Sequence, residues 1–216
     1  MKKVVLSVVL CLLAVVMLGA CASVNEDPAQ DNLVQNDVGQ PDADMNDAGM
    51  TDYDNGNVAE QIGRPSVFGE FTAKDLKGNA VTQDIFAQNK LTMVNIWATF
   101  CGPCINEMPE LGELAAEYKD KGVGVVGIPV DITDEKGNID DYLFDEAVDI
   151  VASTKADYVH VVPTESMFVN KLAAVITVPE TIFVDSQGNQ VGDSYLGARS
   201  KEQWTEIIEE LLGEVQ

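Results

Sequence analysis

Apolar positions fall into three regimes along the chain. Val4 to Met17 is apolar at almost every position. From about 22 to 64 large apolar residues are scattered and never cluster. Beyond 65 they return in blocks whose period switches between strand and helix. Leu91 to Ala98 and Gly122 to Val130 are nearly continuous apolar runs, as in strands buried on both faces. Between them, Met108, Leu111, Leu114, Ala115 and Tyr118 give Pro103 to Asp120 a helical face, which Pro109 should kink. Tyr142 to Ser153 repeats that spacing with Phe144, Ala147, Val148 and Val151. Tyr158 to Val162 reads as a short strand and Ser166 to Ala173 as a short helix. Thr181 to Asp185 and Gln190 to Leu196 read as strands joined by a turn at Ser186-Gln187-Gly188-Asn189. Ser200 caps a last helix that turns Trp204, Ile207, Ile208, Leu211 and Leu212 inward. Ahead of all these, Glu70 to Asn79 with Val81 forms a hairpin whose turn is Lys77-Gly78-Asn79. Strand–helix alternation closed by a hairpin and a helix defines an α/β domain over 65–216, with a mixed central sheet flanked by helices.

Charge sharpens the boundaries. The chain has 216 residues and a formal net charge of −23, from 36 acidic and 13 basic side chains. That sign excludes a nucleic-acid partner and electrostatic docking on anionic lipid, both of which need a basic face. Residues 22–64 hold ten acidic residues against Arg64 alone, with Asn and Gly between them. Such a stretch cannot bury enough surface to offset chain entropy, so 21–64 is expected to be a disordered acidic linker, extended by self-repulsion. Its Asp-rich texture is no EF-hand: a loop starting at Asp42 has Asp47 where glycine is needed and Tyr53 where a bidentate Glu is needed. The N-terminal run, led by Lys2-Lys3, is shorter than the ~20 residues of a transmembrane helix. It ends in Leu18-Gly19-Ala20-Cys21, which resembles a bacterial lipobox. That resemblance implies a lipoprotein signal peptide over 1–20, lipid on Cys21, and a mature chain anchored outside the cytoplasm. An ordinary secretory signal or an uncleaved anchor gives the same side of the membrane.

The chemistry-bearing stretch follows the first buried strand: Trp97-Ala98-Thr99-Phe100-Cys101-Gly102-Pro103-Cys104. Cys101 falls at a helix start, where unpaired N–H groups and the positive end of the dipole favour a thiolate. It is expected to be the exposed attacking sulfur. Pro103 suits a first helical turn, where its missing N–H costs nothing. Cys104, one turn on and deeper, can resolve a mixed disulfide. The competing readings are a structural disulfide or half a metal site. A two-residue gap staples almost nothing, and no second Cys pair accompanies the lone His160, so no metal is expected. The redox-active Cys101–Cys104 pair then needs no further cofactor.

Trp97 to Cys104 resembles the thioredoxin active-site stretch. The continuation Ile105-Asn106-Glu107-Met108-Pro109-Glu110-Leu111 and the segment Thr177-Val178-Pro179-Glu180-Thr181 resemble the TlpA/ResA-type, extracytoplasmic branch of that superfamily. The resemblance spans roughly 66–216 and implies a thioredoxin fold with an N-terminal hairpin and an inserted helix within 132–175. It implies that Pro179 is the fold's cis-proline, with the Val178 backbone free to pair with an extended client. Glu107 would tune the cysteines and take the proton of Cys104. Cytoplasmic thioredoxins place a buried Asp on the strand before the motif. This strand has no acid, and its Asn95 cannot accept a proton in that way, so the task passes to Glu107. Trp97, as a platform under the motif, and Phe100, on the client face, are both expected to help bind the client; either also suits a plain core aromatic. His160 is expected to be structural.

The implied activity is thiol–disulfide exchange, mainly as a reductant of client protein disulfides. Implied clients are apocytochrome c thiols of cytochrome c biogenesis, a methionine sulfoxide reductase or another thioredoxin-like protein. Electrons would come from a membrane dithiol protein of the CcdA/DsbD type, and the enzyme would act as a monomer. Gly102-Pro103 resembles reducing thioredoxins, although potentials across this fold run from about −270 to −120 mV. The other readings are a disulfide-forming oxidant of the same fold and a CxxC module delivering metal or haem cargo. A peroxidase of the related peroxiredoxin branch would place Thr three residues before a lone Cys; Ala98 stands there.

Overall fold

The computed structural model describes residues 66–215. The signal peptide, Cys21 and the linker expected over 21–64 lie outside them, as do the domain's first and last residues, 65 and 216. Seven strands and four helices follow in order: β1 (Thr72–Lys74), β2 (Ala80–Thr82), β3 (Leu91–Trp97), α1 (Gly102–Tyr118), β4 (Val123–Pro129), α2 (Asp141–Thr154), β5 (Val159–His160), α3 (Glu165–Asn170), β6 (Glu180–Asp185), β7 (Gln190–Leu196) and α4 (Lys201–Glu214). The central sheet runs β5-β4-β3-β6-β7, and β1 and β2 form a separate antiparallel hairpin. β3 pairs parallel with β4 and antiparallel with β6, so the sheet is mixed, as the alternation of elements required.

β3 is buried at every position because both faces are covered. Leu91, Met93 and Trp97 share one core with Met108, Leu111 and Leu114 of α1 and Trp204 and Ile208 of α4. Val94 and Ile96 join the opposite core with Phe68, Phe71 and Phe86 from the hairpin side and Met167 and Leu172 from the α3 side. This two-sided burial holds the end of β3, and the motif beyond it, in one place. By the same alternation Asn95 shares the α1-facing side with Met93 and Trp97.

Several local expectations are refined. α1 runs unbroken through Pro109. On α2, Ala147 and Val151 are buried while Val148 is exposed. β5 is shorter than its apolar run, since only Val159 and His160 pair with β4; Val161 bridges to Asp75 of the hairpin instead. Gly127 of β4 leaves the room into which the His160 ring packs. The short 3-10 helices Gln83–Gln88, Lys119–Lys121 and Leu172–Ala174 have too short a pattern to be read ahead.

One turn sequence recurs: Asp75…Gly78-Asn79, Asp134…Gly137-Asn138 and Asp185…Gly188-Asn189. Each Asp carboxylate accepts the backbone N–H two and four residues on and the Asn side-chain amide. Each Gly takes a positive φ that closes the turn. The Asp75 carboxyl lies below its usual range: burial opposes the shift, and the bonds from Asn79 and Lys77 outweigh it. The Asp134 carboxyl is lowered chiefly by the Asn138 side chain and backbone. Depressed carboxylates stabilise the fold above their unfolded pKa and lose that contribution as pH falls through the folded value. Asp75→Ala is expected to cost about 2 kcal/mol in urea unfolding at pH 7. Its deficit against wild type should shrink below about pH 4, the range set by an unfolded carboxyl.

Candidate active site

β3 delivers the motif and α1 receives it. The Val130 N–H bonds the Trp97 carbonyl, and the Cys101 N–H bonds the Ala98 carbonyl at 3.0 Å, turning the chain into the helix. Asp131, just past β4, holds this turn from outside. Its carboxylate accepts the Thr99 N–H at 2.9 and 3.1 Å and the Thr99 hydroxyl at 2.6 Å.

Cys101 is the N-cap of α1, and its Sγ accepts the Cys104 N–H at 3.2 Å. The helix start therefore aims a backbone donor at the sulfur that would carry negative charge. Cys101 and Cys104 are joined in a disulfide, with Cα atoms 5.3 Å apart. The first sulfur was expected to be exposed, yet Cys101 is only 5% exposed and Cys104 is fully buried. The access is a rim on the Cys101 side, narrowed because Ala98, Cys101 and Cys104 all belong to the core cluster.

Two depressions flank α1's start. One, of about 270 Å³, is lined by Phe100, Phe168, Leu172, Ile176 and Val178 and carries no charged side chain. Phe100 is 78% exposed there and Ile176 91%. The Val178–Pro179 bond is cis, with Val178 half-buried and Pro179 buried. Beside it, Glu180 is buried in an ion pair with Lys171, tying the segment after α3 to the start of β6. Trp97 is fully buried and so touches no client. The client-binding role expected of it is corrected to packing beneath the motif, edge-on to His160 at 5.7 Å between ring centroids.

The other depression, about 370 Å³, lies between α1 and the start of α4 and is lined by Glu107, Glu110, Arg199 and Gln203 among others. Glu107 is 4% exposed. One carboxylate oxygen accepts the Asn95 amide at 3.0 Å; the other accepts the Arg199 backbone N–H at 3.1 Å. The Trp204 indole also faces the carboxylate, without reaching hydrogen-bond geometry. Burial raises the Glu107 pKa, and the bonds from Arg199 and Asn95 only partly oppose it. His160 is structural: its Nε2 meets the Ala156 carbonyl at 3.0 Å, its ring stacks on Tyr158 at 4.4 Å, and burial lowers its pKa to about 4.

The expected site residues Cys101, Cys104, Glu107, Phe100, Val178 and Pro179 thus gather around the N-terminal end of α1. Sequence reading missed Asp131, Thr181, Lys171 and Arg199. Thr181 was visible as a polar residue in an apolar strand. Arg199 acts on Glu107 through a backbone N–H, which any residue but proline supplies, so no sequence signal marks it.

A cysteine pair on a helix start beside a cis-proline, on a mixed sheet of this order, defines a thiol–disulfide oxidoreductase of the thioredoxin fold. Residues 63–211 match the Redoxin family model, and the chain belongs to that family. It is 30% identical over 146 residues to "Thiol-disulfide oxidoreductase ResA" of Bacillus cereus, covering 66% of this chain and 74% of that one. It is 28% identical over 145 residues to the protein of the same name in Bacillus thuringiensis subsp. konkukian, covering 65% and 74%. The thiol:disulfide interchange protein of Chlorobium tepidum TLS shares the fold, with a TM-score of 0.56, 21% identity, and coverage of 69% of this chain and 98% of that one.

Removing the Asp131 carboxylate should loosen the turn that presents Cys101. Asp131→Ala is expected to cost about 2 kcal/mol of stability through the bonds to Thr99. It should also raise the pKa of Cys101 in the reduced protein, read from the pH dependence of iodoacetamide alkylation. An unchanged alkylation profile would leave Asp131 with a role in stability alone.

Proposed function

We propose that the protein is a lipid-anchored, extracytoplasmic reductant of client protein disulfides. The observation that carries the chemistry is the Cys104 N–H aimed at Cys101 Sγ at the head of α1, with Cys104 sealed behind it. In the reduced enzyme the Cys101 thiolate attacks one sulfur of a client disulfide. The Cys101–client bond forms, the client's own S–S bond breaks, and one client thiolate leaves. Glu107, ionised, takes the proton of Cys104. The Cys104 thiolate attacks Cys101 Sγ, the Cys101–Cys104 bond forms, and the second client thiolate leaves and is protonated. Two electrons pass to the client and the enzyme is left as the disulfide, the state of this structure.

The uncharged groove beside the motif supports protein clients, with Phe100 and Ile176 meeting apolar side chains and the Val178 backbone meeting an extended chain. Return to the dithiol requires an external donor, for which a membrane dithiol protein of the CcdA/DsbD type fits an anchored enzyme. The lipobox-like Leu18-Gly19-Ala20-Cys21 supports the anchor. Among the described residues no helix is long and apolar enough to cross a membrane. Relatives named "Thiol-disulfide oxidoreductase ResA" support the exchange chemistry; apocytochrome c thiols outside the cytoplasm are the clients this reading assigns.

Cys101→Ser should abolish reduction of a peptide disulfide, and Cys104→Ser should accumulate the mixed disulfide, detected by mass spectrometry. Glu107→Gln should slow the release step about a hundredfold while leaving attack by Cys101 nearly unchanged, read by single-turnover mixing. A Cys101→Ser enzyme that still exchanged would overturn the mechanism.

In the full chain expressed in a bacterial host, Cys21→Ser should move the protein from the membrane fraction to the soluble extracytoplasmic fraction. Wild type already found in the soluble fraction would refute the anchor.

A further inference from the structure

Asn95 is a polar residue in the apolar stripe that β3 turns toward α1, and the exchange chemistry above makes no use of it. It is fully buried. It stands in register with Thr181 of β6, and its Nδ2 donates both to the Thr181 hydroxyl at 3.1 Å and to Glu107 at 3.0 Å. Its Oδ1 is buried and has no partner. One amide therefore satisfies a buried carboxylate with its donor end while holding its acceptor end idle.

We infer that Asn95 is a positioning residue for proton transfer at Glu107, offering its N–H₂ to the ionised carboxylate and, after rotating by half a turn, its carbonyl to the protonated acid. The inference rests on the reading of Glu107 as the base for Cys104. With Glu107 ionised, both bonds run outward from Nδ2. When Glu107 takes the proton of Cys104, its new O–H becomes a donor that Nδ2 cannot accept. Rotation brings Oδ1 to the same place, where it accepts the Glu107 O–H and the Thr181 O–H, since a hydroxyl donates as readily as it accepts. The number of bonds is unchanged, and the idle atom becomes Nδ2 instead of Oδ1. Both protonation states are thus served inside a dry core, where an unmet acid or carboxylate would be costly. An apolar residue would serve neither state, and an ionised Asp would repel the carboxylate.

The groups facing Glu107 come from every element around it. Arg199 and Trp204 approach from the start of α4, Glu110 lies one turn on along α1 in the same cleft, and the buried Tyr158 hydroxyl lies within electrostatic range from beside β5. None of these offers both a donor and an acceptor to the oxygen that Asn95 holds.

The test uses the domain within the full chain, with release of a preformed mixed disulfide followed against pH and the Glu107 carboxyl followed by carbon NMR in the oxidised protein. Asn95→Leu keeps the branched shape at the expense of added volume and removes both ends. It should raise the Glu107 midpoint and slow release about fivefold on the acidic limb, because the bond lost to the charged carboxylate is stronger than the one lost to the neutral acid, with rates converging on wild type at high pH. Thr181→Val removes a bond to the same amide but leaves Glu107 its donor; it should move the midpoint less than Asn95→Leu does. A midpoint and profile unchanged in Asn95→Leu would overturn the inference. Should that variant not fold, the Asn95 side-chain amide of wild type supplies the reading. Its nitrogen and proton shifts should titrate with the Glu107 carboxyl, and flat shifts would overturn the inference. If Glu107→Gln released clients at the wild-type rate, the base reading would fail by itself, while co-titration of Asn95 and Glu107 would still report the coupling.

Discussion

The structure depends on one alignment: the first turn of α1 points the Cys104 N–H at Cys101 Sγ. A thiolate there gains from donors and dipole that the helix leaves unused at its start. The benefit exists only if the helix start is fixed relative to the sheet. That explains why β3 is buried along its whole length, and why Asp131 grips Thr99 on the approach. Two cores, one on each face, hold β3 in register with β4 and β6. The rigid sheet and the reactive sulfur are two ends of the same constraint.

Against this apolar background the polar residues at the site stand out as deliberate exceptions. Glu107, Asn95 and Thr181 are buried together between α1 and the sheet. A buried carboxylate is costly unless its lone pairs are met, and Asn95 and Arg199 meet them from opposite sides. Burial still outweighs those bonds and leaves Glu107 easier to protonate than an ordinary carboxylate. A raised folded pKa means Glu107 opposes folding increasingly as pH climbs from the unfolded toward the folded value. Stability is thus given up at the same carboxylate whose readiness to hold a proton is useful.

The two depressions flanking α1's start divide the labour. The groove of Phe100, Ile176 and Val178 is apolar and uncharged in a strongly acidic chain. The cleft of Glu107, Glu110 and Arg199 is polar, and the nearly buried Glu107 forms part of its wall. The Lys171–Glu180 pair holds the outer wall of the groove onto β6 beside Pro179. The segment 132–175 supplies that wall through Phe168, Leu172 and Val175.

Much of this was legible in the chain itself, because the signals were local. Continuous apolar runs at Leu91–Ala98 and Gly122–Val130, the period of α1, the Ser200 cap and the Cys101–Cys104 spacing each express a nearest-neighbour rule. The sequence also placed Pro179 and Glu107 near the cysteines through family resemblance. Tertiary structure alone decided the rest. It buried Trp97 beyond a client's reach, nearly closed the rim over Cys101, shortened β5 in favour of the Asp75 bridge, and brought Asn95, Thr181 and Arg199 around one carboxylate. The reason is physical. Periodicity tells which face of an element is apolar, but the partner of a buried polar group lies across the sheet or on a distant loop, and only packing the layers together determines which one it meets.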